Sequence, residues 1–164
     1  MREGKVQIYT GNGKGKTTAA FGAAFRAMGY GHSVIVIQFQ KRVRCGEHME
    51  AEKIGLEVIH CPRGRGSSPC AAPCPLLEAA SKIMKGNPPQ LMILDEIMAA
   101  IHYKCVSEEE VLALLLERAE NTEVILTGRN APKALTDAAD LVTSMEPVKH
   151  YFRNGVPARE GIEY

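Results

Sequence analysis

The stretch Val6-Gln7-Ile8-Tyr9-Thr10-Gly11-Asn12-Gly13-Lys14-Gly15-Lys16-Thr17-Thr18 decides the fold. An apolar strand runs into a glycine-rich turn, and the turn ends in Gly-Lys-Thr-Thr at the start of an amphipathic helix. This order defines a phosphate-binding loop. Gly11, Gly13 and Gly15 let backbone N–H groups converge on an anion without Cβ interference. The helix that opens near Thr17 directs its positive dipole end to the same place. Lys16 reaches phosphate oxygens from this position, and the Thr17 hydroxyl is a ligand for Mg²⁺. Lys14, inside the loop, is a further phosphate contact. The common pattern Gly-x4-Gly-Lys-Ser/Thr is broken at its first position, where Thr10 stands in place of glycine.

Outward from the loop, strands and helices alternate. The first strand covers about 5–10 and the first helix about 17–29, with Ala20, Phe21, Ala24, Phe25 and Met28 on one apolar face. The second strand, Ser33–Phe39, is almost continuously apolar, as expected for a strand buried on both faces of a parallel sheet. A short helix near Glu47–Ile54 and a strand at Leu56–His60 precede Pro62–Pro75, which is too rich in Gly, Ser and Pro to be regular. A helix near Leu76–Lys85, a strand at Leu91–Asp95 and helices at Ile97–Tyr103 and 107–120 follow. Ser107 and Glu110 form a capping box at the start of the last of these. Strands at Glu123–Thr127 and Leu141–Met145 flank a short helix at Pro132–Ala139, and Asn154-Gly155 has the composition of a hairpin turn. The expected architecture is one α/β P-loop (RecA-like) domain over 1–164, with a mostly parallel sheet of about six strands flanked by helices.

Composition narrows the function. The 164 residues carry a formal charge of +1 and only 5% aromatic residues, so neither a basic field nor stacking platforms favour nucleic acid. No apolar run approaches the roughly 18 residues of a membrane helix. The chain enters its first strand almost at once, which makes the cytoplasm the expected compartment. Five cysteines are an odd number for a disulfide framework. Cys61, Cys70 and Cys74, with Cys45 upstream, follow none of the usual zinc spacings and read as incidental, with metal or redox chemistry as the alternative.

Leu91-Met92-Ile93-Leu94-Asp95-Glu96 reads as a Walker-B strand, four apolar residues running up to two acids at the carboxyl edge of the sheet, where ligands bind. Asp95 and Glu96 are both candidates for Mg²⁺. Spacing does not choose between them, because successive strand residues face opposite ways. Thr127-Gly128-Arg129 ends the next strand and places Arg129 at the same edge, suited to neutralising a polyphosphate. Arg26 lies over two turns into the first helix and reads either as a ligand contact or as an exposed helical arginine. Lys41 and Arg42 are weaker candidates, and His150 reads as a structural hydrogen-bonding residue. No glutamine or glutamate stands out as the residue that would orient water against a γ-phosphate.

These residues together resemble the P-loop ATP:corrinoid adenosyltransferases. The resemblance is carried by 10–22, Gln38-Phe39-Gln40-Lys41, Leu94-Asp95-Glu96, Leu126-Thr127-Gly128-Arg129 and Ala139-Asp140-Leu141-Val142. It continues through Pro147-Val148-Lys149-His150 and the closing Gly161-Ile162-Glu163-Tyr164. The Thr10 variant of the loop is that family's own. The resemblance implies that ATP lies reversed in the loop, that a Co(I) corrinoid attacks the ribose C5′, and that tripolyphosphate leaves. It also implies that Thr17 and Glu96 serve Mg²⁺, that Asn12–Thr18 hold the polyphosphate, and that Arg129 contacts it, with Arg26 as a second arginine. A homodimer and an electron-donor protein for cobalt reduction are implied as partners. The middle of the chain departs. Members of the family carry a Gly-Phe-Thr-Trp type segment after the third strand, whereas 63–70 here reads Arg-Gly-Arg-Gly-Ser-Ser-Pro-Cys. A different corrinoid, reliance on a partner subunit and loss of the transfer step all fit that departure. A P-loop ATPase or small-molecule kinase, and a non-catalytic ATP- or corrinoid-binding protein, stand as competing readings.

Overall fold

The computed structural model describes residues 3–41, 43–61 and 73–164. Among these residues six strands form one sheet: β1 (Val6–Thr10), β2 (Val34–Gln38), β3 (Glu57–His60), β4 (Leu91–Asp95), β5 (Glu123–Thr127) and β6 (Leu141–Ser144). Their order across the sheet is β3-β2-β4-β5-β1-β6, and every pairing is parallel. Parallel neighbours require crossover connections, and helices supply them. These are α1 (Lys16–Gly29), α2 (Gly46–Ile54), α3 (Pro75–Gly86), α4 (Ile97–His102), α5 (Glu108–Leu116) and α6 (Lys133–Ala138).

Two apolar layers sandwich the sheet. Ala20 and Ala24 of α1 and Ala51 of α2 pack against Val34, Val36, Leu91, Ile93 and Ile125 on one face. Leu76, Leu77 and Ala80 of α3, Ile97 and Met98 of α4, and Leu114 of α5 pack with Ile37, Met92, Leu94 and Leu126 on the other. All five residues of β4 are buried, Leu91–Leu94 as an unbroken apolar run requires and Asp95 at its end. Each fully buried aliphatic side chain contributes about 1.5–3 kcal/mol relative to exposure.

The period of two along each strand positions the site. Val34, Val36 and Gln38 of β2 share the α1 face, as do Leu91, Ile93 and Asp95 of β4, and Ile125 and Thr127 of β5. Gln38 is in register with Asp95. A row of polar side chains therefore ends the apolar lines of three adjacent strands at the carboxyl edge.

Element boundaries follow the sequence reading closely, with two differences. The helix expected over 107–120 ends at Leu116. Beyond it, Arg118 donates to the Gly4 carbonyl at 3.2 Å and the Thr122 hydroxyl donates to the Pro89 carbonyl at 2.9 Å, so tertiary contacts draw the chain out of the helix. Asn154-Gly155 does not turn a hairpin. It closes a 3₁₀ turn over Tyr151–Asn154, and Gly155 takes the left-handed conformation that lets the turn terminate. The capping box at Ser107 and Glu110 is present, with Glu110 N–H donating to Ser107 Oγ at 3.1 Å and Ser107 N–H to Glu110 Oε2 at 2.7 Å. Among the described residues no helix is long and apolar enough to cross a membrane.

Candidate functional site

The loop between β1 and α1 closes around the Lys16 ammonium. Lys16 is buried, and its Nζ donates to the carbonyls of Gly11 at 2.8 Å and Gly13 at 2.7 Å. Burial, followed by the neighbouring Arg129 charge, lowers the Lys16 pKa, while Glu96, Asp95 and Glu146 pull the other way. The loop is also stitched to the chain after β6. Met145 N–H donates to the Thr10 carbonyl at 2.8 Å, and Gly13 N–H donates to the Met145 carbonyl at 2.6 Å. The expectation that all three loop glycines aim N–H groups at an anion is thereby corrected for Gly13, whose N–H is bonded within the protein. Gly13 serves close approach instead, since a Cβ there would lie 2.7 Å from the Met145 carbonyl oxygen. The Gly13→Ala variant is expected to lose about 1–3 kcal/mol of stability by overpacking, read as a lowered denaturant midpoint.

Thr10, the irregular position of the loop, has a structural role that glycine could not fill. Its hydroxyl accepts from Ala131 N–H at 3.2 Å and so ties the phosphate loop to the segment that follows Arg129.

The two acids at the end of β4 take different positions, which spacing alone left open. Asp95 is fully buried on the α1 face. Its Oδ1 accepts from the Thr17 hydroxyl at 2.9 Å and the Thr127 hydroxyl at 2.7 Å, and its Oδ2 accepts from Gln38 Nε2 at 3.0 Å. Glu96 leaves the strand in a left-handed conformation (φ 59°) that turns the chain into α4, and its N–H donates to Thr127 Oγ1 at 2.9 Å. Glu96 lines the cleft beside the loop, while Asp95 stands behind it and accepts the Thr17 hydroxyl.

The cleft encloses about 250 Å³ and is lined by Asn12–Thr18, Glu96, Arg129, His150 and Glu163. The structure thus brings together Lys16, Thr17, Glu96 and Arg129, as well as the loop residues Asn12, Gly13, Lys14, Gly15 and Thr18. Gly11 contributes its carbonyl to Lys16. Arg26 lies elsewhere, lining a cavity of about 420 Å³ with Gln7, Tyr30, Gln90 and Glu123. It stands ten positions along the helix from Lys16, about 15 Å along the axis, and that carries it away from the carboxyl edge. Lys14 donates to the Ile162 carbonyl at 2.6 Å and lies 3.9 Å from Glu163. Lys41 pairs with Glu47 at 2.5 Å. Arg42 and the segment 63–70 fall outside the described residues.

The sequence reading places no site residue on the C-terminal side of the cleft, where His150 and Glu163 stand. His150 Nδ1 accepts from Phe152 N–H at 3.2 Å, the structural role expected of it, and the same residue lines the cleft. Glu163 is hydrogen-bonded by Arg159 and by the Tyr151 hydroxyl, which hold its carboxyl down to about 2. These contacts join residues that are remote in sequence from the loop, and no local pattern announces them. The sequence assigns no site role to Gln38 or His48, although the period of two carries Gln38 to the Asp95 row.

Cys45, Cys61, Cys74 and Cys105 are free and buried, and the last three share the apolar core on the α3 face. Among the described residues no group of three or more His, Cys, Asp or Glu is placed to hold a metal. Cys70 lies outside those residues.

A parallel sheet with a strand–glycine loop–helix at its carboxyl edge, a buried lysine in the loop and a strand-end acid bound to the loop threonine defines a P-loop nucleotide-binding protein. The comparison with known proteins is more specific. Residues 2–164 match the family of ATP:corrinoid adenosyltransferases BtuR/CobO/CobP. The chain is 38% identical to a corrinoid adenosyltransferase of Escherichia coli K12, over 98% of this chain and 86% of that protein. It is 36% identical to one of Sinorhizobium sp. (99% and 81% covered) and 32% identical to one of Pseudomonas aeruginosa (98% and 84%). The chain belongs to the ATP:corrinoid adenosyltransferase family.

Proposed function

We propose that this protein transfers the 5′-deoxyadenosyl group of ATP to the Co(I) centre of a corrinoid and releases tripolyphosphate. The observation that carries the reading is the convergence of Lys16, Thr17, Glu96 and Arg129 on one cleft in a chain of this family. The cobalt electron pair forms the Co–C5′ bond, the C5′–O bond breaks, and its pair departs with the triphosphate. Cobalt is itself the nucleophile, so the protein's task is to bind, orient and neutralise the leaving polyanion. The buried Lys16 ammonium and the Arg129 guanidinium supply positive charge, and the loop N–H groups that remain free supply donors.

The donor set also suits Mg²⁺. The Thr17 hydroxyl directs its proton to Asp95, which leaves its oxygen lone pairs facing the cleft beside the Glu96 carboxylate. Mg²⁺ favours this arrangement, one or two hard protein oxygens completed by phosphate and water rather than an all-protein cage. When bound, it neutralises charge on the leaving triphosphate. We further assign the cytoplasm as compartment, and a homodimer and an electron-donor protein for cobalt reduction as partners.

The test is incubation with ATP, Mg²⁺ and chemically reduced cobalamin or cobinamide. A light-sensitive adenosylated product with tripolyphosphate supports the transferase. ADP or orthophosphate in their place would establish a hydrolase or kinase. ATP binding without any adenosylated product would establish a binding protein.

A further inference from the structure

The Asp95 carboxylate is one link in a longer chain of hydrogen bonds. Cys45 N–H, at the N-cap of α2, donates to His48 Nδ1 at 2.9 Å. His48 Nε2 meets Gln38 Oε1, and Gln38 Nε2 meets Asp95 Oδ2 at 3.0 Å. Asp95 Oδ1 then receives the Thr17 and Thr127 hydroxyls. Gln38, His48 and Asp95 are all buried.

The polarity of this chain is fixed from its far end. A backbone N–H can only donate, so Nδ1 of His48 must accept and the ring proton sits on Nε2. Nε2–H then requires the oxygen of Gln38, which turns the Gln38 amide nitrogen toward Asp95. Burial lowers the His48 pKa against the pull of Glu47, and the imidazole needs no second proton to make both of its bonds. Gln38 and His48 add no charge, and their surroundings leave the Gln38 amide one satisfied orientation. Isolated from water, such a chain loses heavily if one member is removed, because the neighbours keep unmet donors or acceptors.

We propose that Gln38 and His48 are positioning residues for the cation that accompanies ATP. They fix the Asp95 carboxylate so that it accepts the Thr17 proton and presents the Thr17 oxygen lone pairs to the cleft. This rests on the reading that Thr17 and Glu96 hold that cation. Outer partners that orient metal ligands typically change metal affinity 10–100-fold when removed.

Mn²⁺ serves as the probe. Its binding to the full chain in the presence of ATP is followed by the enhancement of water-proton relaxation over a protein-free Mn²⁺–ATP blank, with thermal unfolding recorded on the same samples. The Gln38→Met variant, close in volume but without a donor, is expected to raise the Mn²⁺ concentration for half-saturation about tenfold. His48→Met acts one link further away and should raise it several-fold. His48→Gln keeps an acceptor for Cys45 N–H and a donor for Gln38, and should return the value to within about twofold of the parent. If Gln38→Met fails to fold, the two His48 variants decide the matter. An unmoved half-saturation in the Met variants overturns the proposal, even if their melting temperatures fall, since that would show a structural role alone. Lys16→Ala run alongside separates the two levels of the reading. Retained ATP binding there overturns the phosphate-loop assignment and the relay with it. Lost ATP binding there, with Mn²⁺ affinity unmoved in the Gln38 and His48 Met variants, overturns the relay alone.

Discussion

Replacing Lys16 by alanine is expected to weaken ATP binding at least about 100-fold and to abolish formation of adenosylated corrinoid. The reason lies in where the ammonium sits. It is buried within the loop, donating to the Gly11 and Gly13 carbonyls, in a cleft that also holds Arg129. A cation already removed from bulk water interacts with a polyanion far more strongly than a surface lysine does. Its loss also strips the loop of the charge that offsets Glu96 and Glu163 on the same cleft. Lys16→Arg is expected to fail as well, because a planar guanidinium does not fit between two loop carbonyls that receive one compact ammonium. Calorimetric titration with ATP and the photolabile-product assay read both effects. Circular dichroism should stay native, since the Lys16 contacts close the loop and not the core. An alanine variant with parental turnover would remove the loop from the reaction.

Much of the frame that holds Lys16 is legible in the sequence. The strand, loop and helix at 6–29 are local, and each carries its own signature. The buried strands show themselves as apolar runs, and a period of two places Gln38, Asp95 and Thr127 in line on the α1 face. That row could have been found from the sequence by carrying the period to each strand's last residue. Three other features could not. The bond from Gly13 to Met145, the docking of Ile162 and Glu163 on Lys14, and the contact of His48 with Gln38 depend on how the elements pack together. Strand order comes from packing across the whole sheet and has no local mark. The Arg26 expectation illustrates the same limit. The helix is local, but the cavity that its far end lines with Gln7, Gln90 and Glu123 is formed only by the packed strands. Thr10 shows the converse. An apparent defect in the motif becomes a tether to Ala131 once β1 and β5 lie side by side.

The Asp95→Asn variant, which changes one oxygen to an amide nitrogen, is expected to lose both stability and turnover. Asp95 receives three donors and is fully buried, so the variant offers one oxygen and one donor where the parent offers two acceptors. If the new amide faces Gln38, two N–H groups oppose each other. Turning Gln38 to relieve that would set its nitrogen against His48 Nε2–H, and His48 cannot shift its proton because Cys45 N–H holds Nδ1. If instead the amide faces the threonines, both hydroxyls lose their acceptor, and Thr127 must still receive Glu96 N–H. Either orientation strands a buried donor, at a cost of about 1–3 kcal/mol. For a domain of this size that corresponds to a fall of several degrees, at about 2–4 °C per kcal/mol, in the melting temperature. Turnover should fall about 10–100-fold at limiting Mg²⁺ and recover partly at high Mg²⁺, because the disturbed group is the one that aims Thr17. Thermal melts and Mg²⁺-dependent initial rates test the two halves separately. A variant as stable as the parent would show that the hydrogen bonds to Asp95 contribute little, and a Mg²⁺ dependence equal to the parent's would detach Asp95 from the cation.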